Sequence, residues 1–384
     1  MSIGKNRPGE LDNKGASFPE DPFFLSDDAR FDDLLEQAWR ARFTTFMVLQ
    51  TEVERSFPDL DERYGFGRCA AELIGRRRPR RRALIEDPIF QIWVRIVLRD
   101  LNKLLTGARD DPSELALRLS EFPAMLQRIE ARFAEARPGQ AIPVLRFESD
   151  PLLRLAAPPS YDFSTDQAVC RNLERSGHPV SFFAEVVAAT LARIEAAWPE
   201  LHARFQTLVT LIYYLPDADF RSCSASRYTG IILIAAKDAS FLDLEESLVH
   251  EWGHQLLYRI GEIEPLTQPA AANEESFALP WSGQKRDVYG YFHAFFIYIL
   301  LLNYFGRLTD RPENEQSRIQ SRMAFILRGL SKAAFDLKAS RNFTPYGRTL
   351  LNRLVDELEG LAARHAPLMK LPDAGDAPVP ARVA

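Results

Sequence analysis

The five residues His250-Glu251-Trp252-Gly253-His254 combine types and spacing that can do chemistry. On a helix, side chains four apart stand one turn above each other. Both imidazoles then aim at one divalent ion, and Glu251 flanks them within reach of that ion or of a water on it. Two histidines do not complete a site, so the third ligand decides the class of chemistry. Two candidates compete. Glu274 lies in the segment NEESFA, downstream of the motif, and His293 lies near the start of a strongly apolar stretch. A buried imidazole needs a polar partner, and an ion supplies one. Arg286, just before that stretch, has the fork geometry to clamp a carboxylate, or it pairs with Asp287 or Glu275.

These residues have to be positioned by the elements around them. Gly230 to Ala235 (GIILIA) and Thr207 to Leu215 (TLVTLIYYL) are β-branched and aromatic, which predicts two short strands before the motif. Ser240 with Asp243 predicts a capped helix start, and Gly261 a helix stop, so the motif should sit on a helix of about twenty residues. Leu244, Leu248, Leu256, Leu257 and Ile260 can bury that helix. Upstream, Phe31, Leu34, Leu35, Ala38, Trp39, Phe43 and Phe46 recur at helical spacing. A second helix is entered through Asp87-Pro88, and a third runs from Pro112 to about Arg137 with a bend at Pro123. Ala141 to Pro179 reads as a long irregular connection, and the helix from Phe183 to Trp198 is stopped by Pro199.

The expected fold is mainly α with a small β-sheet (α+β). Its expected parts are a flexible tail over 1–25, a helical region over 26–205 and a metal region over 206–310. Helices over 311–370 and a Pro- and Ala-rich tail over 371–384 follow.

Composition narrows the function. A chain of 384 residues, 46% hydrophobic, can bury a large core. Its net charge of −5 argues against nucleic acid as the partner. Cys69, Cys170 and Cys223 show no CxxC spacing, which fits a reducing compartment and excludes a disulfide scaffold. The first residues, MSIGKNRPGELDNKG, hold no apolar core of a signal peptide, so a cytoplasmic location is expected. Val288 to Phe305 is long and apolar enough to be mistaken for a membrane span, but it carries His293 and Asn303 and is expected to be a buried core helix.

Two resemblances follow from these segments. The separation of Glu274 from His254 resembles that in thermolysin-like zinc peptidases, although NEESFA lacks the aspartate of their NExxxD pattern. In that reading Zn(II) holds a water and Glu251 is its general base. The combination GIILIAAKDASFLDLEESLVHEWGHQLL and ALPWSGQKRDVYGYFHAFFIYILLLNYF resembles the HExxH-type peptide β-hydroxylases that depend on α-ketoglutarate, which modify ribosomally made peptides. EDPIFQIWVRIVLRDL looks like an upstream segment of the same family. That resemblance implies His250 and His254 as Fe(II) ligands and His293 as the third. It implies Arg286 on the far carboxylate of α-ketoglutarate, with O2 as co-substrate. A three-histidine set departs from the usual two-histidine, one-carboxylate triad, which leaves room for Glu251 or Asp287 as an anionic ligand.

A precursor peptide is the expected substrate, and the strand over Gly230 to Ala235 is expected to pair with it by edge addition. Tyr289, Tyr291, Phe292 and Phe295 are expected to build core rather than a substrate pocket. The arginines of Arg76 to Arg82 are expected in a solvated loop, or docked on an acidic leader segment of the peptide.

Overall fold

Four short strands divide the hydrophobic interior in two. The computed structural model describes residues 21–135, 142–146, 180–214, 221–235, 240–269 and 276–370. Strands β1 (Val144–Arg146), β2 (Leu211–Tyr214), β3 (Ser222–Cys223) and β4 (Ile231–Ile234) form one sheet in the order β1-β2-β4-β3. β1, β2 and β4 run parallel, and β3 pairs antiparallel with β4. Side chains alternate between the faces of a strand. Ile212, Tyr214, Ile232 and Ile234 therefore enter one core, while Leu211, Tyr213, Ile231 and Leu233 enter the other. Burial on both faces explains why these strands read as unbroken apolar runs.

Helices cover both faces, so the described chain is mainly helical with a small mixed sheet, as its sequence predicts. Helix α1 (Asp28–Ser56) serves both cores, with Phe31 and Leu34 in one and Phe46, Leu49 and Val53 in the other. Helices α2 (Pro58–Tyr64), α3 (Phe66–Gly75), α4 (Arg78–Glu86), α5 (Pro88–Leu105) and α6 (Ser113–Glu135) follow on the second core. The Asp87 carboxylate caps α5 by accepting from the Ile89 amide. Pro123 lies inside α6. Helices α7 (Val180–Ala197) and α8 (Pro199–Leu208) meet at Pro199, which opens α8 at its first position, where its missing N–H costs nothing.

Helix α9 (Phe241–Ile263) carries the motif. It packs against α10 (Val288–Phe305), and α11 (Glu313–Ala339) and α12 (Pro345–Arg364) close the C-terminal side. A two-stranded ribbon, β5 (Phe277–Ala278) with β6 (Lys285–Arg286), leads into α10. Of the helix that could be taken for a membrane span, 89% is buried inside the protein. Its apolar surface is therefore spent on the core.

Several expectations are corrected. Gly261 does not stop α9, which runs on to Ile263. The strand expected from Thr207 begins only at Leu211, because α8 holds the chain to Leu208. The stretch read as irregular from Ala141 contains β1, and residues 147–179 lie outside the described part. The expected tail is structured at its described end, where Phe23, Phe24 and Leu25 are buried and Phe23 packs edge-on to Phe296 at 5.1 Å. Phe24 takes a left-handed φ of 57°, held by the Asp21 carboxylate accepting from the Phe23, Leu25 and Ser26 amides. The tail over 371–384 lies outside the described residues.

The arginine run is not a loop. Arg76 ends α3 and Arg78 opens α4. Arg78 and Arg82 reach Glu36 at 2.5 and 3.1 Å, Arg76 pairs with Glu130, and Arg78 and Arg81 lie over the rings of Trp39 and Phe43. Strand β4 is not an edge either, since β2 and β3 occupy both its sides. It has no open ladder for a peptide.

Gly253 is what lets α9 and α10 approach. A Cβ there would come within 2.7 Å of both Ile297 Cδ1 and Leu300 Cδ2. Gly253→Val is expected to overpack this contact and cost about 1–3 kcal/mol, read from the urea midpoint at unchanged slope. A variant as stable as the parent would show that the two helices are not held at this distance by the glycine.

Candidate metal centre

The motif helix starts as its sequence predicts. The Ser240 hydroxyl accepts from the Asp243 amide at 3.3 Å, and the helix is then buried without a break from Leu244 to Ile260. Leu248, Trp252, Leu256 and Ile260 fill the first core. Gln255 fixes the helix to the sheet, because its amide nitrogen donates to the Ile231 carbonyl at 2.8 Å and its oxygen accepts from the Gly230 amide at 2.6 Å. Gly230 takes a φ of 94°, and a Cβ there would meet Pro88 Cγ at 2.7 Å, so both its conformation and its surroundings call for glycine.

Three histidines converge. His250 and His254 present their Nε2 atoms to each other at 3.2 Å. Two nitrogens each about 2.1 Å from one ion, and this far apart, subtend roughly 100° at it, which suits tetrahedral or octahedral coordination. His293, from α10, meets the other side of His254 with its Nδ1 at 3.2 Å from His254 Nδ1. All three rings are buried, as is Glu251. Two neutral imidazoles share one proton across such a contact. With His254 Nε2 as a ligand, its Nδ1–H donates to His293 Nδ1, and this leaves the proton of His293 on Nε2. That atom is buried and has no hydrogen-bond partner among the described residues.

The structure thus brings His250, His254, Glu251 and His293 together, with His293 behind His254 rather than beside His250. Among the described residues, no three His, Cys, Asp or Glu side chains are grouped so as to close on one ion. Glu274 and Glu275 lie outside the described residues. The Asp287 carboxylate caps α10, accepting from the Gly290 amide at 2.7 Å. Arg286, on β6, donates to the Gln284 side chain at 2.9 Å and to the Lys285 carbonyl at 3.3 Å.

Aromatic rings line the histidines. Tyr258 stacks on His254 with centroids 6.0 Å apart, and Tyr289 stands edge-on to His293 at 4.3 Å. Tyr291, Phe292 and Phe295 are core, as expected, whereas Tyr289 belongs to the site. Burial, then the nearby Glu251 charge, pushes the Tyr258 phenol well above its ordinary range, and its hydroxyl donates to the Ser224 carbonyl at 3.2 Å. Burial, then the His254 charge, holds His293 well below the ordinary imidazole value. His293 is therefore neutral at physiological pH, the state in which an imidazole binds metal or accepts a proton.

The composition signals did not point to the far end of this surface. His250, His254, Tyr258 and Glu262 follow one another at intervals of four on α9, so they form one row. Glu262 is held by Arg42 through two contacts of 2.8 Å, by Arg95 at 3.1 Å and by Arg259 at 3.6 Å. The i+4 continuation of the motif is the signal that would have found Tyr258 and Glu262. The three arginines come from α1, α5 and α9, and no local pattern announces them.

Burial works against the Glu262 carboxylate, but Arg42 and then Arg259 bring it down to about 2 from an ordinary 4.5. Its stabilisation is therefore complete above pH 4.5 and lost as the pH falls towards 2, on the order of 3 kcal/mol in all. Urea unfolding of the parent and of Glu262→Gln should differ by roughly that much at pH 7, and the gap should close between pH 4.5 and 2. A gap that does not change with pH would mean that packing, and not the ion pairs, accounts for it. No family model and no curated protein matches the chain.

Proposed function

We propose that the protein is an Fe(II) and α-ketoglutarate dependent oxygenase that hydroxylates side-chain β-carbons of a ribosomally made precursor peptide, acting in the cytoplasm. The observation that carries this reading is the buried histidine trio built on the motif, with His250 Nε2 and His254 Nε2 set 3.2 Å apart. The donors fit a divalent ion of borderline softness, since imidazole nitrogen suits iron and zinc alike. His250 and His254 would hold it. His293 would orient His254 by accepting from its Nδ1–H, and it would become the third ligand only by turning its ring out of that contact.

With iron and the keto acid bound, O2 is consumed, α-ketoglutarate becomes succinate and CO2, and one oxygen atom enters a C–H bond. The protein's own part is to hold and to exclude. Trp252, Leu248 and Leu256 bury the helix behind the histidines, which keeps bulk water from that side. Glu251, on the flank of the motif, is buried with its charge near Tyr258. The hydroxyl of Tyr258 remains protonated and tied to Ser224, so it fixes the wall rather than exchanging protons. A peptide cannot add to β4, and the sheet edges left for strand pairing are β1 and β3. An acidic leader would meet the partly exposed guanidiniums of Arg78 and Arg80 on α4.

The zinc peptidase reading keeps Glu251 as general base and needs Glu274 as a ligand. Both readings are tested in one experiment. Metal-free protein is loaded anaerobically with Fe(II), and α-ketoglutarate is added while a visible iron-to-keto-acid charge-transfer band is sought. The band is expected in the parent and absent in His254→Ala. His293→Ala separates its two roles, because loss of stoichiometric iron marks a ligand, while retained iron at weakened affinity, about 10- to 100-fold, marks an orienting partner. No band, with zinc retained and lost in Glu274→Ala, would replace the oxygenase with the peptidase.

A further inference from the structure

The charge around Glu262 does not balance. Its Oε2 takes Arg42 Nε at 2.8 Å and lies 3.6 Å from Arg259 Nη1. Its Oε1 takes Arg42 Nη2 at 2.8 Å and Arg95 Nη2 at 3.1 Å, with the Thr229 hydroxyl at 3.5 Å. One carboxylate thus serves three guanidiniums, and the bidentate Arg42 pair already uses both oxygens. Arg259 gains least. Its side chain is 5% exposed, yet its Nε and Nη1 have no hydrogen-bond partner among the described residues.

A cluster needed only to tie α1 to α9 would be complete with Arg42 and Glu262. Two further cations in the same place repel the first. Burial and then Arg42 hold Arg259 down at about 10, and burial, with Arg42 again opposing the charge, lowers Arg95. Glu86 is also close, but Arg82 pairs with it at 3.3 Å. Buried guanidinium N–H groups without acceptors are costly, and a second carboxylate is the ligand that would relieve both the repulsion and the unmet donors.

The place of this cluster says what kind of carboxylate. Arg95 keeps 38% of its side chain exposed, so the cluster opens to solvent there. Glu262, around which the arginines gather, lies eight residues beyond His254 in the same row of α9, about 12 Å along the axis. Between them stand Tyr258 and Tyr289, and the Tyr289 phenol feels the charges of both Arg95 and Glu262 while its ring touches His293. Tyr258 stacks on His254 and also feels the charge of Arg95, so these two rings link the histidines to the arginine cluster.

We propose that Arg95 and Arg259, backed by Arg42, form a recognition site for one carboxylate of a small dicarboxylate whose other end lies towards the histidines. The choice of α-ketoglutarate as that dicarboxylate rests on the oxygenase reading; the carboxylate site itself does not. The site competes directly with Arg286, the residue that the sequence resemblance implies for this task.

The probe is glutarate, which has two carboxylates and no keto group, titrated calorimetrically into the full-length, metal-free protein, with α-ketoglutarate alongside. The parent is expected to bind glutarate without metal. Arg95→Gln, at a partly exposed position and with an unchanged melting curve, should weaken it on the order of 10- to 100-fold, as loss of a charge-assisted hydrogen bond does. Arg259→Gln should weaken it as well, and Arg364→Gln, at an exposed position on α12, should leave it unchanged. No binding of either acid overturns the proposal, as does equal affinity in Arg95→Gln. Weakening by Arg286→Gln with Arg95→Gln unaffected also overturns it and returns the carboxylate to Arg286. The iron charge-transfer band is read separately. Arginine-dependent glutarate binding without that band would keep this site and remove the oxygenase, and the band without arginine dependence would do the reverse.

Discussion

A helix buried along its whole middle while carrying ionisable side chains is the constraint around which the rest of the structure is arranged. Charges taken out of water cost several kcal/mol each unless they are paired or neutralised. Helix α9 buries Glu245, Glu246, His250, Glu251, His254 and Arg259 in sequence. Near its start, Glu245 accepts from the Tyr304 hydroxyl at 2.6 Å and from Arg311 at 3.0 Å, with Arg193 as a third donor, and Glu246 pairs with Arg322 at 2.8 Å. Near its end, Glu262 gathers three arginines. Apart from Arg259 on α9 itself and Arg311 in the turn before α11, these partners come from five other helices, so the pairing that makes α9 tolerable inside the protein also ties those helices to it.

Between those two ionic anchors the histidines occupy the middle of the helix. The anchors fix its translation, Gln255 fixes its rotation against β4, and Gly253 sets how near α10 can come. The result is that His293, a residue from another helix, meets His254 ring to ring. A site held this way is positioned by packing and by second partners rather than by its own residues, which is what a metal or catalytic constellation requires.

Much of this was legible locally. The capped start at Ser240, the caps at Asp87 and Pro199 and the two apolar strands are read from turn chemistry and periodicity, because those signals act over a few residues. Strand β1 was not legible, since three residues of Val144–Arg146 have no pattern of their own and gain strand form only from pairing with β2. The arginine run misled because its composition suggests solvent, whereas its guanidiniums are partly covered by Glu36, Glu130 and two aromatic rings that lie far away in sequence. The edge role expected of β4 failed for the same reason, as strand order in a sheet is a long-range property.

The candidate site divides along that line. His250, Glu251 and His254 are neighbours on one helix, so spacing alone finds them. His293 required a judgement about an apolar helix, and the structure brings it to His254 but on the nitrogen opposite His250. The arginines around Glu262 could not have been found from spacing, because Arg42, Arg95 and Arg259 sit on three helices and each looks like an ordinary surface charge in its own segment. Only their convergence on one carboxylate makes them chemically unusual. Guanidiniums gathered beyond their side-chain acceptors among the described residues are held together by the fold against their own repulsion, so the packing of α1, α5 and α9 preorganises this cationic cluster.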